Sequence, residues 1–326
     1  MEIGKVPNNM LEEIIFGKLK HNRIEVLLRP KIGEDCCAID FGDNICVISS
    51  DPITGTVNEV GRLAVHVSCN DIASCGAEPV GIISTVLLPA GTTEKELDTL
   101  VSQMSEAAAE LNVEIIGGHT EITTAVNRVV VTSTVLGKIK KDKLVTSSGA
   151  RPGDSIILTK WAGLEGTAII AREKEPELIG QIGKEAVDKA KDLINSISVV
   201  KEGLIAAEFG ATAMHDVTEG GVLGALWEMA KASDVGIMVY EDKIPIKEET
   251  LSIAQYFGID PLKLISSGCM LIACKDGGEL VKKLENSGIK ATIIGKATEE
   301  KKCLLVAKEG THEIHQPDPD ELYKVV

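Results

Sequence analysis

Gly61 to Leu88 reads GRLAVHVSCNDIASCGAEPVGIISTVLL, and the way this stretch folds decides the architecture. Leu63, Val67, Asp71 and Ser74 recur at helical spacing, with Gly76 as the natural stop because glycine tolerates the left-handed conformation that ends helices. From Val80 to Leu88 the apolar and β-branched content predicts a strand, closed by Pro89. A helix running directly into a strand belongs to a mixed α/β or α+β architecture rather than an all-helical or all-β one. Asp71 is the anomaly in this helix. A lone charge on a buried stripe is costly unless it is paired or metal-bound, so Asp71 requires either a metal or a Lys or Arg partner that the sequence does not identify.

The alternation extends in both directions. Ala38 to Phe41 and Asn44 to Ser50 are strand-like runs joined by Gly42-Asp43, a hairpin turn signal. Thr93 precedes Glu96 by three residues in a capping-box pattern, which predicts a long amphipathic helix through Leu111. Val113 to Ile116 reads as a strand leading into a loop at Gly117-Gly118, and Arg128 to Ile139 as a long β-branched strand. The polar group from Thr146 to Gly149, with Arg151-Pro152-Gly153-Asp154, is the expected domain boundary, giving domains over 1–148 and 149–326. The second half repeats the mixture: a strand over Ser155 to Thr159, helices near Leu164 to Lys174, Gly183 to Ile194, Val200 to Phe209 and Gly220 to Ala232, and strands near Gly236 to Tyr240 and Lys302 to Ala307. The segment from Gln316 to Asp320 reads as an irregular tail.

Composition narrows the function. With 34 basic against 49 acidic side chains and only 3% aromatic residues, the chain lacks both the basic footprint and the stacking platforms of a nucleic-acid binder. No apolar stretch approaches membrane-spanning length, and the N-terminus has no basic-then-apolar signal pattern, so cytoplasmic location is the expectation. The eight cysteines include no C-x-x-C pair and several fall in apolar patterns, which reads as reduced, buried thiols. Negative net charge does not exclude anionic nucleotides, because a divalent metal screens their phosphates.

Asp35 follows Ile32-Gly33-Glu34 ahead of a strand, and Asp51 ends the run Cys46 to Ser50 before Pro52. Carboxylates at loop and strand ends suit magnesium, which takes hard oxygen ligands and shares them with phosphate oxygens. Two glycine pairs, in Gly117-Gly118-His119-Thr120-Glu121 and in His215-Asp216-Val217-Thr218-Glu219-Gly220-Gly221, read as loops. A glycine-rich turn at a helix start exposes N–H groups to phosphate, although ordinary turns use the same residues.

In order along the chain, Ile32-Gly33-Glu34-Asp35, Ser50-Asp51-Pro52-Ile53-Thr54-Gly55, Asn70-Asp71-Ile72-Ala73-Ser74-Cys75-Gly76-Ala77-Glu78-Pro79, the Gly117-Gly118-His119-Thr120-Glu121 loop, Ser147 to Asp154 and His215 to Gly221 resemble the family that contains aminoimidazole ribonucleotide synthetase, thiamine-monophosphate kinase, selenophosphate synthetase and the hydrogenase maturation factor HypE. The resemblance implies a two-domain PurM-like fold. Its N-terminal α/β domain shares a barrel-like interface with a second copy, its C-terminal domain is α+β, and ATP lies between them. It further implies that Asp35, Asp51, Asp71 and Asp216 hold Mg2+. Nucleotide contacts would come from Lys5, Asn70, Gly117, Gly118, Thr120, Thr218, Gly220 and Gly221, with His119 and Glu121 near the chemistry. His119 stands where several relatives carry aspartate. It would orient a phosphate or carry a proton, a hydrogen-bonded structural role being the alternative.

HypE-like members are the nearest resemblance, through Ser50 to Gly55 and the opening Ile3 to Pro7. The implied reaction is ATP-dependent activation of an amide or similar oxygen on a small-molecule or carrier-protein acceptor, in a homodimer that works with a maturation factor. A small-molecule kinase and a nucleotide-binding maturation scaffold are the alternatives. HypE itself ends in a cysteine that carries a carbamoyl group, whereas this chain ends Lys324-Val325-Val326, and Cys303 is expected to lie in a strand away from the site.

Overall fold

The computed structural model describes residues 6–19, 21–54, 56 and 58–326 and organises them around two β-sheets. A single helical turn, α1 (Asn8–Met10), continues as irregular helix to Lys18. Strands β1 (Val26–Leu28), β2 (Cys37–Asp40) and β3 (Asn44–Ile53) are followed by helix α2 (Val60–Ser74), strand β4 (Glu78–Pro89), helix α3 (Glu94–Glu110), and strands β5 (Glu114–Thr123) and β6 (Val130–Lys140). In space the six strands run β1-β2-β3-β6-β4-β5, all antiparallel neighbours except the parallel pair β4 and β5.

The second sheet draws on the rest of the chain. Strand β7 (Ser155–Thr159) precedes helices α4 (Leu164–Glu173), α5 (Glu175–Ile182), α6 (Lys184–Asp192) and α7 (Val200–Phe209). Then come β8 (Ala213–Asp216), α8 (Gly221–Ser233), β9 (Gly236–Tyr240), α9 (Glu248–Phe257), β10 (Met270–Cys274), α10 (Gly277–Asn286), β11 (Ala291–Thr298), β12 (Cys303–Ala307) and β13 (Gly310–Glu313). The order across this sheet is β13-β12-β9-β11-β7-β10-β8. The first sheet thus takes its strands from residues 26–140 and the second from 155–313, which is the two-part mixed architecture expected from the alternation. No helix among the described residues is long and apolar enough to cross a membrane.

Helix α2 links the two halves. Every one of its residues except Arg62 is buried, so this helix has neighbours all round. It packs on β3 and β6, on α3, and across the molecule on α7 and β8. The approach to α7 is so close that a Cβ on Gly203 would lie 2.2 Å from the Ala73 carbonyl oxygen. Asn70 fastens the same junction: its Nδ2 donates to Ile197 O at 2.9 Å and its Oδ1 accepts from Val199 N at 2.8 Å.

The elements read around Asp71 form where expected, including the Thr93–Glu96 capping box that starts α3. Three differ. Gly117-Gly118 is not a loop, because β5 runs straight through it, and a Cβ on Gly118 would meet Ser84 O at 2.1 Å. Glycine is there to let two strands approach, not to turn the chain. Helix α5 was hidden by Pro176, which the structure places in the helix's first turn, where proline costs no hydrogen bond. The tail is irregular through 316–320 but then docks, ending in a short 3-10 turn (Glu321–Lys324) with Asp320, Glu321 and Leu322 buried.

Candidate functional site

Four carboxylates converge between the sheets although 181 positions separate the first from the last in sequence. Asp71 is placed by α2, Asp51 by β3, Asp216 by the end of β8, and Asp35 by the loop before β2. Side chains alternate along a strand, so Ser49 and Asp51 share one face of β3. The Ser49 hydroxyl lies 2.5 Å from Asp71 Oδ2 and 3.5 Å from Asp51 Oδ2. The loop carrying Asp35 is tied to α2 through Cys36, whose Sγ donates to Asp71 O at 3.0 Å. Asp35, His215 and Asp216 each offer a ligand atom, all within 4.8 Å of one another.

The electrostatics are dominated by like charge in a dry setting. Burial pushes the Asp71 carboxyl well above the usual carboxylate range, and Asp216, Asp51 and Asp35 push it further. Burial does the same to Asp216, reinforced by Asp35 and offset only in part by His215. Asp216 Oδ2 is buried with no hydrogen-bond partner. Among the described residues, no Lys or Arg forms an ion pair with Asp51, Asp71 or Asp216. The Lys or Arg partner left open for Asp71 in the sequence is therefore not found there.

His215 supplies positive charge beside Asp35 and Asp216. Its Nδ1 lies 2.8 Å from Asp35 and its Nε2 3.0 Å from Glu228. With a carboxylate at each nitrogen the ring donates twice, as only the imidazolium does. Burial opposes that charge, but Asp35 and Glu228 outweigh it and hold the imidazole well above its ordinary range. Around Asp35 the interdomain segment closes in: Ser147 N donates to Glu34 Oε2 at 3.3 Å and Ser147 Oγ to Met214 O at 3.0 Å.

The other residues singled out from the sequence are placed as follows. Asn70 is fully buried with its amide bonded to Ile197 and Val199. Gly220 N donates to Asp320 Oδ2 at 2.7 Å, and a Cβ on Gly221 would lie 2.5 Å from Leu262 O. The Gly220 amide is thus bonded to the protein's own tail. Thr218 is half-buried in the turn after Asp216. Gly117, Gly118, His119, Thr120 and Glu121 are all exposed on β5, with His119 Nε2 3.4 Å from Glu121 Oε2. Register runs from Asp51 to Ser133, from Ser133 to Ser84 and from Ser84 to Gly118. Three strand spacings separate Asp51 from that end, roughly 14 Å, so within one chain His119 and Glu121 do not touch the acidic cluster. Lys5 lies outside the described residues.

Ser49, Glu34, Ser147 and the doubly bonded His215 were not singled out from sequence. Ser49 was accessible, since a residue two before Asp51 on a strand shares its face. The role of His215 depends on Glu228 one helix later and on Asp35, which no local pattern indicates.

Comparison with known proteins finds matches over both halves of the chain. The family model described as AIR synthase related protein, N-terminal domain, matches residues 33–139, and the corresponding C-terminal domain model matches 151–308. A Methanocaldococcus jannaschii protein, provisionally named a hydrogenase expression/formation protein, is 30% identical over 312 residues, 93% of this chain and 91% of its own. The carbamoyl dehydratase HypE of Azotobacter vinelandii is 30% identical over 83% of this chain and 77% of its own, and the thiamine-monophosphate kinase of Pyrococcus horikoshii 28% over 85% and 86%. Among solved structures, HypE in a HypE–HypF complex superposes with a TM-score of 0.78 at 23% identity, covering 94% of this chain and 99% of that one. A HypE structure in complex with ATP gives 0.71 at 20%, covering 98% and 96%. At these identities the superpositions speak to the fold.

Proposed function

The chain belongs to the AIR synthase related protein family, and on that premise we propose that it is a HypE-like, ATP-dependent enzyme that activates an oxygen of its acceptor by phosphoryl transfer. The observation that carries the reading is the cluster of Asp35, Asp51, Asp71 and Asp216, none of them ion-paired to a Lys or Arg among the described residues and only Asp35 ion-paired to His215. Carboxylates are hard oxygen donors, and a buried unpaired oxygen on Asp216 fits a cation-binding role, so these four residues suit Mg2+. When bound, the metal would supply the positive charge that neutralises the triphosphate. The chain's own contribution is positioning. Ser49 orients Asp71 and Asp51, and the imidazolium of His215 holds Asp35 in place from a rigid strand end. In phosphoryl transfer, positioning and electrostatics provide most of the acceleration.

The domain division at 148/149 is supported by the two sheets, each drawn from one side of it. A homodimer is supported by β5, an edge strand exposed along nearly its whole length and bearing Ile115, Ile116 and Ile122. Such an edge invites pairing with a second chain, and we place His119, Thr120 and Glu121 at that junction. The HypE–HypF complex supports a maturation factor as partner.

Isothermal titration tests the core of the proposal. Mg-ATP binds the wild-type protein and fails to bind Asp71→Asn; wild-type protein that shows no Mg-ATP binding refutes it. The similarity to thiamine-monophosphate kinase favours a second reading, a kinase releasing a stable phosphorylated product. Product analysis after turnover separates the two.

A further inference from the structure

Three donors of the acidic site form a set of mixed chemistry. Asp35, His215 and Asp216 each offer one ligand atom, and these atoms lie within 4.8 Å of one another. His215 and Asp216 are consecutive at the end of β8, only 3% and 1% exposed, and Asp35 joins them from the loop before β2. Two carboxylates thus stand beside an imidazole nitrogen. Mg2+ takes hard oxygen ligands, whereas imidazole is a donor for the first-row transition metals. The nitrogen separates this triad from Asp51 and Asp71, which offer oxygen alone.

His215 is held as a ligating histidine is held. Its Nε2 lies 3.0 Å from Glu228 Oε2, and a metal-bound histidine characteristically gives its other N–H to a carboxylate, which fixes the ring and raises the basicity of the ligating nitrogen. The remaining nitrogen, Nδ1, faces Asp35 at 2.8 Å. Two donors bound at roughly 2.0–2.2 Å to one cation stand about 3.0–3.4 Å apart, so opening this contact by a few tenths of an ångström seats an ion that bonds both. Asp216 Oδ2, buried and without a hydrogen-bond partner, supplies the third donor, and a cation removes the cost of leaving it unpaired. Helix α8 secures the arrangement from behind. A Cβ on Gly33 would meet Glu228 O at 2.9 Å, and Lys31 Nζ donates to Ala232 O, one turn further on, at 3.0 Å. The helix that orients His215 therefore also seats the loop that carries Asp35.

We propose that Asp35, His215 and Asp216 form a site for a first-row transition-metal dication, with Glu228 as the carboxylate behind the histidine, and that this ion binds without nucleotide. On binding, the cation takes the Nδ1 lone pair and the proton there leaves to solvent, while the Nε2 proton stays on the bond to Glu228. Asp51 and Asp71, joined through Ser49, remain for the Mg2+ that accompanies ATP. The inference goes beyond the phosphoryl-transfer reading, since it needs neither nucleotide nor turnover.

The test titrates the metal-stripped full chain with Co2+ alone, followed by calorimetry and visible absorption, and then challenges the complex with Zn2+ and Mg2+. Co2+ binds saturably, Zn2+ displaces it, and about a hundredfold excess of Mg2+ does not, because Mg2+ gains little from a nitrogen donor. Pulsed EPR of the Mn2+-loaded protein shows coupling to a directly bound nitrogen, and His215→Gln removes it. Glu228→Gln weakens Co2+ by about ten- to a hundredfold, the usual effect of losing the carboxylate behind a ligating histidine. His312→Gln, at an exposed histidine on β13, leaves Co2+ affinity within about twofold of wild type, as expected of a side chain outside the ligand shell. Where His215→Gln does not fold, as judged by circular dichroism, Asp216→Asn takes its place and weakens Co2+ at least about tenfold. Wild-type protein that binds no Co2+, binding that Mg2+ displaces at comparable concentration, a thiolate charge-transfer band in place of nitrogen coupling, or affinity unchanged in Glu228→Gln overturns the site. Failure of wild-type protein to bind Mg-ATP overturns the phosphoryl-transfer reading instead, so the two failures are distinct.

Discussion

Replacing Asp71 by asparagine should make the metal-free protein more stable while abolishing its response to Mg-ATP. One serine hydroxyl touches Asp71 at 2.5 Å and Asp51 at 3.5 Å, so those two carboxylate oxygens are at most about 6 Å apart. At an effective dielectric constant near 20, two full charges at that distance repel by about 3 kcal/mol. Asp71 avoids part of the repulsion by retaining its proton, which is why its titration is displaced upward, first by burial and then by Asp216. The cost then appears as a pH dependence. The unfolded carboxyl ionises near pH 4, while the native one holds its proton to higher pH, so wild-type stability falls as pH rises from about 4 toward the native pKa. Asparagine keeps the Ser49 hydrogen bond and carries no charge. Its advantage should therefore be absent below about pH 4 and reach roughly 1–3 kcal/mol at neutral pH, a rise in Tm of about 2–6 °C. Mg-ATP at a thousand times its Kd reverses the ranking, because such a ligand stabilises by about 4.1 kcal/mol and only wild type binds it. Differential scanning fluorimetry in EDTA and in Mg-ATP, from pH 4 to 8, measures both effects. An Asp71→Asn protein that is less stable than wild type in EDTA at pH 7, or that still shifts with Mg-ATP, refutes the reasoning.

Other substitutions probe the supports of the site. His215→Gln removes the cation bridging Asp35 and Glu228, and breaking a buried ion pair on one side should lower stability by about 3–5 kcal/mol in urea titration. Asn70→Ala strands a buried carbonyl and a buried N–H at the α2–α7 junction, a loss of about 2–4 kcal/mol on the same assay. Gly203→Ala drives a methyl group into the Ala73 carbonyl and should cost at least about 2 kcal/mol, seen as a lowered midpoint with Mg-ATP affinity retained where folded protein remains. Ile122→Glu places a charge at the exposed β5 edge and should convert a dimer to monomer in sedimentation velocity while leaving the monomer folded.

Much of the fold was legible because its strongest signals are local. Leu63, Val67, Asp71 and Ser74 fall at helical spacing whether or not the partner sheet is known, and the Thr93–Glu96 box marks a helix start by itself. The misreadings came where tertiary contact reassigns a residue. Gly117-Gly118 resembles a turn in isolation, but it lies within β5, where Ser84 of β4 approaches Gly118 too closely for a side chain. Gly220-Gly221 offers open N–H groups in isolation, but Asp320, a hundred residues later, accepts from the Gly220 amide. Nothing near either pair in sequence carries that information.

The acidic site was legible for the opposite reason, through a local rule broken. A helix that is buried on every side has no local use for an ionisable carboxyl, and Asp71 is placed where burial and three other aspartates all oppose its charge. A protein selected for stability alone would carry asparagine there and retain the Ser49 hydrogen bond. The same holds for Asp216, which has an oxygen buried with nothing to bond. Each destabilises the empty protein, and His215, bonded to Asp35, offsets the burden on Asp216 only in part. On the proposed reading a divalent cation arriving with its phosphates would remove the imbalance, and the strain of the free chain would be binding energy held for Mg-ATP.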